Sequence, residues 1–171
     1  MVEMLVAEPA VASPRAVTLP TGVQLAALAE GHILTVMARR VAEVSVASLA
    51  SLGDDAPHAV RALGPGQWLI VGDAALSGAA VRAKAEQWAD RASLFDCSHA
   101  RVRITLSGEG AGDLITTGAG LDPRDGTFPL GSSAAMLFRH IAVHLTRTGA
   151  TTYELIVARS LAQSLWDALR H

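Results

Sequence analysis

Three glycines, Gly108, Gly110 and Gly112, lie between a strand-like stretch and a helix-like stretch, where dinucleotide-binding turns are found. That fingerprint needs its third glycine at position 113, and this chain has Asp113 there. A carboxylate at a helix N-terminus would repel the pyrophosphate that the helix dipole attracts. The spacing therefore predicts an ordinary strand-to-helix turn and no cofactor-binding glycines.

Two histidines, His140 and His144, stand four residues apart, a spacing that would place both on one face of a helix and suggest a metal pair. The sequence between them is strand-like, and in a strand they would lie about 13 Å apart, too far to hold one ion. No Asp, Glu or Cys lies in this segment to complete a ligand set. We expect surface histidines and no metal site.

Two nucleophile candidates are equally weak. Cys97 and His99 could share a face of an extended segment, but nothing supplies an orienting third group or lowers the thiol pKa, so a buried, inert cysteine is expected. Ser133 follows Gly131-Ser132, but the segment lacks the final glycine of a nucleophile elbow, so it is expected to be a turn residue. The residues thus predict no catalytic group.

Tryptophans and arginines remain as candidate binding residues. Trp68, Trp88 and Trp166 could stack on a flat ring, but each lies on an apolar face of a predicted element, which favours core packing. Five arginines could form salt bridges with a partner subunit, although a solvated face is the expected role for any single one. These arginines are Arg39, Arg40, Arg101, Arg103 and Arg159.

The composition limits the class of protein. The chain has 171 residues with a net charge of -2, so it has no basic surplus for nucleic acid. Half of its residues are hydrophobic and 18% are charged, an apolar surplus that could cover a partner. A single cysteine, Cys97, an acidic N-terminal segment and no long uncharged stretch predict a cytoplasmic protein without disulfides, a signal peptide or a membrane span.

The elements that must position these residues form a repeated pattern. Residues 1–30 are predicted to be an extended arm with one short strand near 15–19. Residues 31–171 are predicted to be one domain of two duplicated halves, about 31–95 and 96–171, each reading strand, helix, strand, strand, helix. The predicted fold class is α+β with mostly antiparallel sheet. The strongest strand signal is the alternation over 101–107, and a helix is expected from Ser77 to about Ala92.

An ordered set of motifs resembles the gamma-subunit family of heterotetrameric sarcosine oxidases. No single motif is catalytic, and the resemblance depends on their order and spacing over residue 30 to the end. The motifs are Gly64-Pro65-Gly66-Gln67-Trp68-Leu69-Ile70-Val71, Asp96-Cys97-Ser98-His99-Ala100-Arg101-Val102-Arg103-Ile104, Phe128-Pro129-Leu130-Gly131-Ser132-Ser133, and Tyr153-Glu154-Leu155-Ile156-Val157-Ala158-Arg159-Ser160-Leu161 with Trp166 beyond.

The resemblance implies a fold like the folate-binding domain of the glycine-cleavage aminomethyltransferases. It implies an enzyme that oxidatively demethylates sarcosine and passes the one-carbon unit to tetrahydrofolate. The larger subunits would hold FAD, FMN, NAD and tetrahydrofolate. This chain would then be a non-catalytic partner of the alpha, beta and delta subunits, with alpha as the expected direct contact. No catalytic, cofactor-binding or metal-binding residue is expected in it.

Two alternatives stay open at this point. The chain could belong to a related complex that acts on another N-methyl amino acid, or it could be a stand-alone folate-binding protein like the aminomethyltransferases. Against the second, those enzymes have an acidic pair where this chain has Arg139-His140-Ile141-Ala142-Val143. Without an acid to handle the proton at the folate amine, transfer chemistry by this chain is disfavoured.

Overall fold

The structure is a computed structural model that describes residues 9–12, 15–54, 56–124, 126 and 128–171. The ten strands of these residues are β1 (Ala16–Thr18), β2 (Gln24–Ala27), β3 (His32–Ala38), β4 (Val60–Gly64), β5 (Gln67–Gly72), β6 (Ala92–Asp96), β7 (Arg101–Ser107), β8 (Ser133–Phe138), β9 (Ile141–Arg147) and β10 (Thr152–Ala158). The α-helices are α1 (Val46–Ala50), α2 (Gly78–Trp88), α3 (Ala111–Ala119) and α4 (Ala162–Arg170), with single 3-10 turns at Val41–Glu43, Ser98–Ala100 and Arg159–Leu161. Within the described ranges, no helix has the length and apolar character to cross a membrane.

The strands form a large sheet and a small sheet. The large sheet has the order β1-β2-β7-β10-β9-β8, and the small sheet has the order β4-β5-β3-β6. Every neighbouring pair is antiparallel. The predicted α+β class with mostly antiparallel sheet is therefore confirmed.

The two sheets pack face to face, and helices cover their outer faces. Apolar residues of α3 and α4, such as Ile115 and Trp166, pack on the large sheet. Leu49 of α1 and Trp88 of α2 pack on the small sheet. Between the sheets lie Ile156 of the large sheet and three residues of the small sheet, Ile33, Leu69 and Val71. The order of layers is thus helix, sheet, sheet, helix, which places an apolar layer on both faces of each sheet.

The two sheets have the same pattern of strand connections. In the small sheet, β3 pairs with the second strand of the β4–β5 hairpin, and in the large sheet β7 pairs with the second strand of the β9–β10 hairpin. The strand that precedes β3 and the strand that precedes β7 have exchanged pairing partners. β2 precedes β3 in the chain but pairs with β7, while β6 precedes β7 but pairs with β3. The division at residues 95 and 96 stays a prediction, and β6 spans it.

Most predicted local elements are present. The β4–β5 hairpin and the strand over Arg101–Ser107 are confirmed. Ser77 caps α2 by accepting a hydrogen bond from the Ala80 amide at 3.2 Å, but the helix ends at Trp88 because Ala92 begins β6, a strand that the sequence analysis missed. In the arm, the predicted strand near 15–19 is β1, and β2 was not predicted. Residues 1–8, 13 and 14 of the predicted arm lie outside the described residues.

The turn between β8 and β9 has an unusual residue pair. Phe138 pairs with Ile141, so Arg139 and His140 form a two-residue loop, and their φ angles are +42° and +73°. Two positive φ angles match a type I′ hairpin turn, which strongly favours Asn-Gly. A side chain other than glycine, asparagine or aspartate in the left-handed region costs roughly 1–2 kcal/mol. The turn is therefore built from two residues that do not favour it.

Candidate functional site

A buried group of charged side chains lies between the two sheets. Arg61 projects from β4, Arg103 from β7 and Glu154 from β10, and these side chains lie on the facing surfaces of the sheets. None of the three residues is more than 4% exposed. Because an unpaired buried charge is strongly destabilising, the geometry of this group decides whether it is structural or available for chemistry.

The carboxylate of Glu154 is held by both arginines. Arg61 Nη1 donates to Glu154 Oε1 at 2.6 Å, and Arg103 binds both carboxylate oxygens, with Nε to Oε1 at 2.7 Å and Nη2 to Oε2 at 3.0 Å. Arg103 Nη1 also donates to the Gly72 carbonyl at 3.1 Å and to Asp73 Oδ1 at 2.7 Å. We call Arg61, Arg103, Glu154 and Asp73 the inter-sheet ion cluster.

These contacts fix the charge states of the cluster. Burial alone would raise the pKa of Glu154, but hydrogen bonds from Arg103 and Arg61 outweigh it and hold the pKa below its usual value. Burial would lower the pKa of Arg103, but the Glu154 carboxylate raises it overall. A general base works best with a pKa near the working pH, so a carboxylate held in this way is poorly suited to that role. Arg103 also uses four of its five N–H groups within the protein.

His144 lies beside the cluster, which corrects the expectation of a surface histidine. It is 3% exposed, because its side chain in β9 points toward the small sheet. Its Nε2 atom is 2.9 Å from the Ala62 carbonyl of β4, and its Nδ1 atom has no hydrogen-bond partner among the described residues. Burial lowers the pKa of His144 despite that carbonyl contact, and the Arg61 and Arg101 charges lower it further.

His140 does not join His144. It lies in the β8–β9 turn, outside the strand in which both were expected. In the described part of the chain, no three side chains of His, Cys, Asp or Glu are grouped so that they could hold a metal ion.

The structure does not bring Cys97 and His99 together as a nucleophile and base. Cys97 is half-buried, and its Sγ atom is 3.4 Å from Thr35 Oγ1. The His99 side chain is 86% exposed in the following 3-10 turn, with its Nδ1 atom 3.6 Å from Glu30 Oε2. Ser133 is the first residue of β8 rather than a turn residue, and its hydroxyl is 2.9 Å from Thr146 Oγ1.

The glycine turn and the tryptophans match the expectations for them. Gly108 has a φ of +118°, Gly110 is the N-cap of α3, and Asp113 in the first turn of that helix forms an ion pair with Arg124. The tryptophans are core residues, since none is more than 8% exposed. They are Trp68, Trp88 and Trp166.

Among the five arginines, Arg103 overturns the expectation of a solvated side chain, because it belongs to the inter-sheet ion cluster. Arg39 donates to the Ala89 carbonyl at 2.7 Å, and Arg40 pairs with Glu43 at 3.1 Å. Arg159 pairs with Glu30 at 2.7 Å, and Arg101 is partly exposed.

Two cavities adjoin the cluster. One of about 310 Å³ lies between residues 9–11 and β7, and its lining includes Arg101, Arg159 and Glu30. The other, of about 380 Å³, is lined by Arg103, Glu154 and three threonines, Thr105, Thr148 and Thr152. In the second cavity Arg103 and Glu154 are hydrogen-bonded to each other, so these two side chains are not free to orient a cofactor.

The inter-sheet ion cluster was not predicted as a unit, although the sequence contains a signal for it. Arg61 and Glu154 are each a single charged residue inside an otherwise apolar strand run. Such residues are rarely buried unless they are paired. The signal would have identified two partners but not their pairing, because 93 residues separate them in the chain.

Comparisons with known proteins give one family. The model of a family described as "Sarcosine oxidase, gamma subunit family" matches residues 42–171. No curated protein sequence matches the chain. Among solved structures, a chain of the heterotetrameric sarcosine oxidase from Corynebacterium sp. U-96, in complex with pyrrole 2-carboxylate, has a similar fold. The TM-score is 0.68 at 21% identity, over 93% of this chain and 86% of that chain.

Proposed function

Because this chain belongs to the sarcosine oxidase gamma subunit family, we propose that it is a structural subunit, without catalytic residues of its own, in a heterotetrameric sarcosine oxidase. The complex is an oxidoreductase. The proposed reaction is oxidative demethylation of sarcosine with transfer of the one-carbon unit to tetrahydrofolate. The proposed partners are the alpha, beta and delta subunits, with alpha in direct contact, and the proposed location is the cytoplasm.

The proposed cofactors, FAD, FMN, NAD and tetrahydrofolate, belong to the larger subunits. They would supply the redox and one-carbon chemistry there. The residues of this chain support that division, because Arg103 and Glu154 at the larger cavity bind each other rather than presenting free donors and acceptors. No step of the reaction is assigned to this chain.

The observation that carries the proposal is that the buried charged side chains bind one another. Glu154 accepts hydrogen bonds from Arg61 across the sheets and from Arg103 beside it, so the cluster holds the two sheets in one arrangement. Removing one partner of a buried ion pair is strongly destabilising, so this arrangement of the two sheets is maintained as long as the cluster is intact. A fixed surface is what a subunit needs in order to dock on its partners.

The first test is to tag this chain in its native host and purify it gently, then record the mass and visible spectrum of what accompanies it. We expect a yellow, flavin-bearing complex with three other chains that oxidises sarcosine. A colourless 17.8 kDa species would contradict the proposal. Sarcosine, dimethylglycine and N-methylglutamate as alternative substrates then identify the one that the complex prefers.

A second test addresses the absence of catalytic residues. The variants Cys97→Ser, His99→Ala and His144→Gln remove the nucleophile and imidazole candidates one at a time. Each should leave kcat per assembled complex unchanged, whatever its effect on yield. A tenfold loss of kcat in a complex that still contains all four chains and its full flavin content would assign chemistry to this chain and overturn the proposal.

A further inference from the structure

Exposed apolar side chains lie on the facing surfaces of the two sheets. Met37 and Phe95 of the small sheet and Leu137 of the large sheet are 42%, 52% and 59% exposed. Met37 and Phe95 point to the same side of the small sheet as Ile33, which packs between the sheets. Leu137 points to the same side of the large sheet as His144, which contacts β4. The layer between the sheets is therefore incompletely covered at these positions.

The turn next to Leu137 is cationic. Arg139 and His140 are both exposed, and neither has an ion-pair partner among the described residues; the Arg139 guanidinium lies 5.9 Å from the centre of the Phe138 ring. The sequence has no Asp or Glu between Asp125 and Glu154. The partner that fits this surface best is therefore an apolar segment that carries a carboxylate.

The backbone conformation of the Arg139–His140 turn is not the one that these residue types favour. Arg139 and His140 both have positive φ angles, where Asn-Gly would be favoured. Apart from the Arg139 contact with the Phe138 ring, no described contact within the chain uses the two side chains. Residues kept in unfavourable backbone regions tend to mark functional positions. The two residues are therefore candidates for a contact outside this chain.

We propose that Met37, Phe95, Leu137 and the Arg139–His140 turn form the docking surface for another subunit of the oxidase, which contributes an apolar segment with at least one carboxylate. This inference rests on the proposed function. The apolar side chains would be covered by the segment, while its carboxylate would pair with Arg139 or His140. We call these five residues the docking surface.

The test uses the four coexpressed subunits, with this chain tagged. Arg139→Asn combined with His140→Gly supplies the favoured turn and removes both the guanidinium and the imidazole. We expect this variant to raise the Tm of the full chain by a few degrees and to reduce recovery of the other subunits at least tenfold. Because the variant is expected to be more stable than the wild type, unfolding cannot explain lost assembly.

Matched variants locate the effect. Leu137→Asp should also reduce recovery at least tenfold, whereas Val46→Asp should not, although Val46 is 58% exposed and lies on α1 at the outer face of the small sheet. Likewise Arg139→Glu should impair assembly, and Arg82→Glu on α2 should leave it unchanged. Impairment by all four variants alike would overturn the proposed location.

Other results separate this inference from the function on which it rests. If the wild-type chain recovers no other subunit, the proposed function fails. If the wild type assembles and the turn variant assembles equally well, or if the turn variant lowers the Tm, the docking surface is wrong. If the isolated chain is a dimer that Leu137→Asp dissociates, the occupant is a second copy and the proposed partner is wrong.

Discussion

Arg61 and Glu154 lie on different sheets and 93 residues apart in the chain, yet Arg61 Nη1 is 2.6 Å from Glu154 Oε1 and both side chains are buried. The contact exists only when the two sheets are packed together. Loss of this contact should therefore weaken the packing between the two sheets.

Removal of one partner should strongly destabilise the chain. Glu154→Gln leaves Arg61 buried without a compensating charge and leaves Arg103 with Asp73 alone, and we expect a loss of about 3–5 kcal/mol in the free energy of unfolding. Equilibrium urea unfolding of the purified chain measures it. Arg40→Met, which removes an exposed pair with Glu43, should cost less than about 1 kcal/mol. Equal effects of the two variants would show that the cluster is not a structural tie.

Two glycine-to-alanine changes in helices should have opposite signs. A Cβ atom on Gly118 of α3 would lie 2.0 Å from Cε2 of the buried Phe138 ring, so Gly118→Ala should destabilise the chain by roughly 1–3 kcal/mol. At Gly78, in the first turn of α2, the nearest atom is 3.6 Å away, and alanine should be neutral or stabilising by up to about 1 kcal/mol. Thermal unfolding measures both, and stabilisation by Gly118→Ala would contradict the packing of α3 on β8.

The arm should contribute to the core through β2. Leu25 is 1% exposed in the core of the large sheet, so Leu25→Ala should cost about 2–5 kcal/mol. Val17→Ala on the half-buried β1 should cost less. Urea unfolding gives the comparison. A Leu25→Ala variant as stable as the wild type would mean that β2 adds nothing to the large sheet.

Acid should destabilise the chain through His144. Its pKa in the folded chain is below the usual 6.5, so the unfolded chain binds more protons between those two values. The contribution of neutral His144 is complete above about pH 6.5 and is lost as the pH falls through the folded-state value, with a slope of up to about 1.4 kcal/mol per pH unit. Unfolding free energies measured from pH 5 to 8 give this slope.

The matched variants for this slope are His144→Gln and His99→Gln. The first should flatten the dependence below pH 6.5, because glutamine does not titrate and can still donate to the Ala62 carbonyl. The second removes an exposed imidazole and serves as the control. Unchanged slopes in both variants would assign the acid sensitivity to another group. The lowered pKa of Glu154 makes the free energy of unfolding depend on pH only below about 4.5, where the unfolded chain binds more protons.

The sequence predicted the elements with strong local signals. The alternation over Arg101–Ser107 and the glycines around Pro65 depend only on neighbouring residues, and both elements are present. Two strands were missed for a physical reason. The β2 sequence, Gln24-Leu25-Ala26-Ala27, has no β-branched residue, and β6 follows α2 after only three residues. Their strand conformation comes from pairing with β7 and β3, which no local pattern records.

The candidate site was less predictable than the fold. The alternation in β7 correctly placed Val102 and Ile104 on the face opposite Arg103. The polar face was, however, expected to be exposed to solvent, and Arg103 is buried. Whether the Arg103 side chain is buried or exposed to water depends on the second sheet, whose position follows from long-range packing. His144 was misread for the same reason, since β4 covers its side of the strand.

The pairing of β2 with β7 and of β6 with β3 affects the order in which the two sheets form. On the ribosome, β2 emerges long before its neighbour, because Gln24 pairs with Ser107. At roughly 5–20 residues per second, the nascent β2 waits several seconds with its edge unpaired. The small sheet is complete only when β6 appears, and the large sheet is complete only when β7 to β10 have followed. Nascent chains arrested before residue 107 should therefore leave residues 16–27 open to protease, and their protection at that stage would contradict this order of assembly.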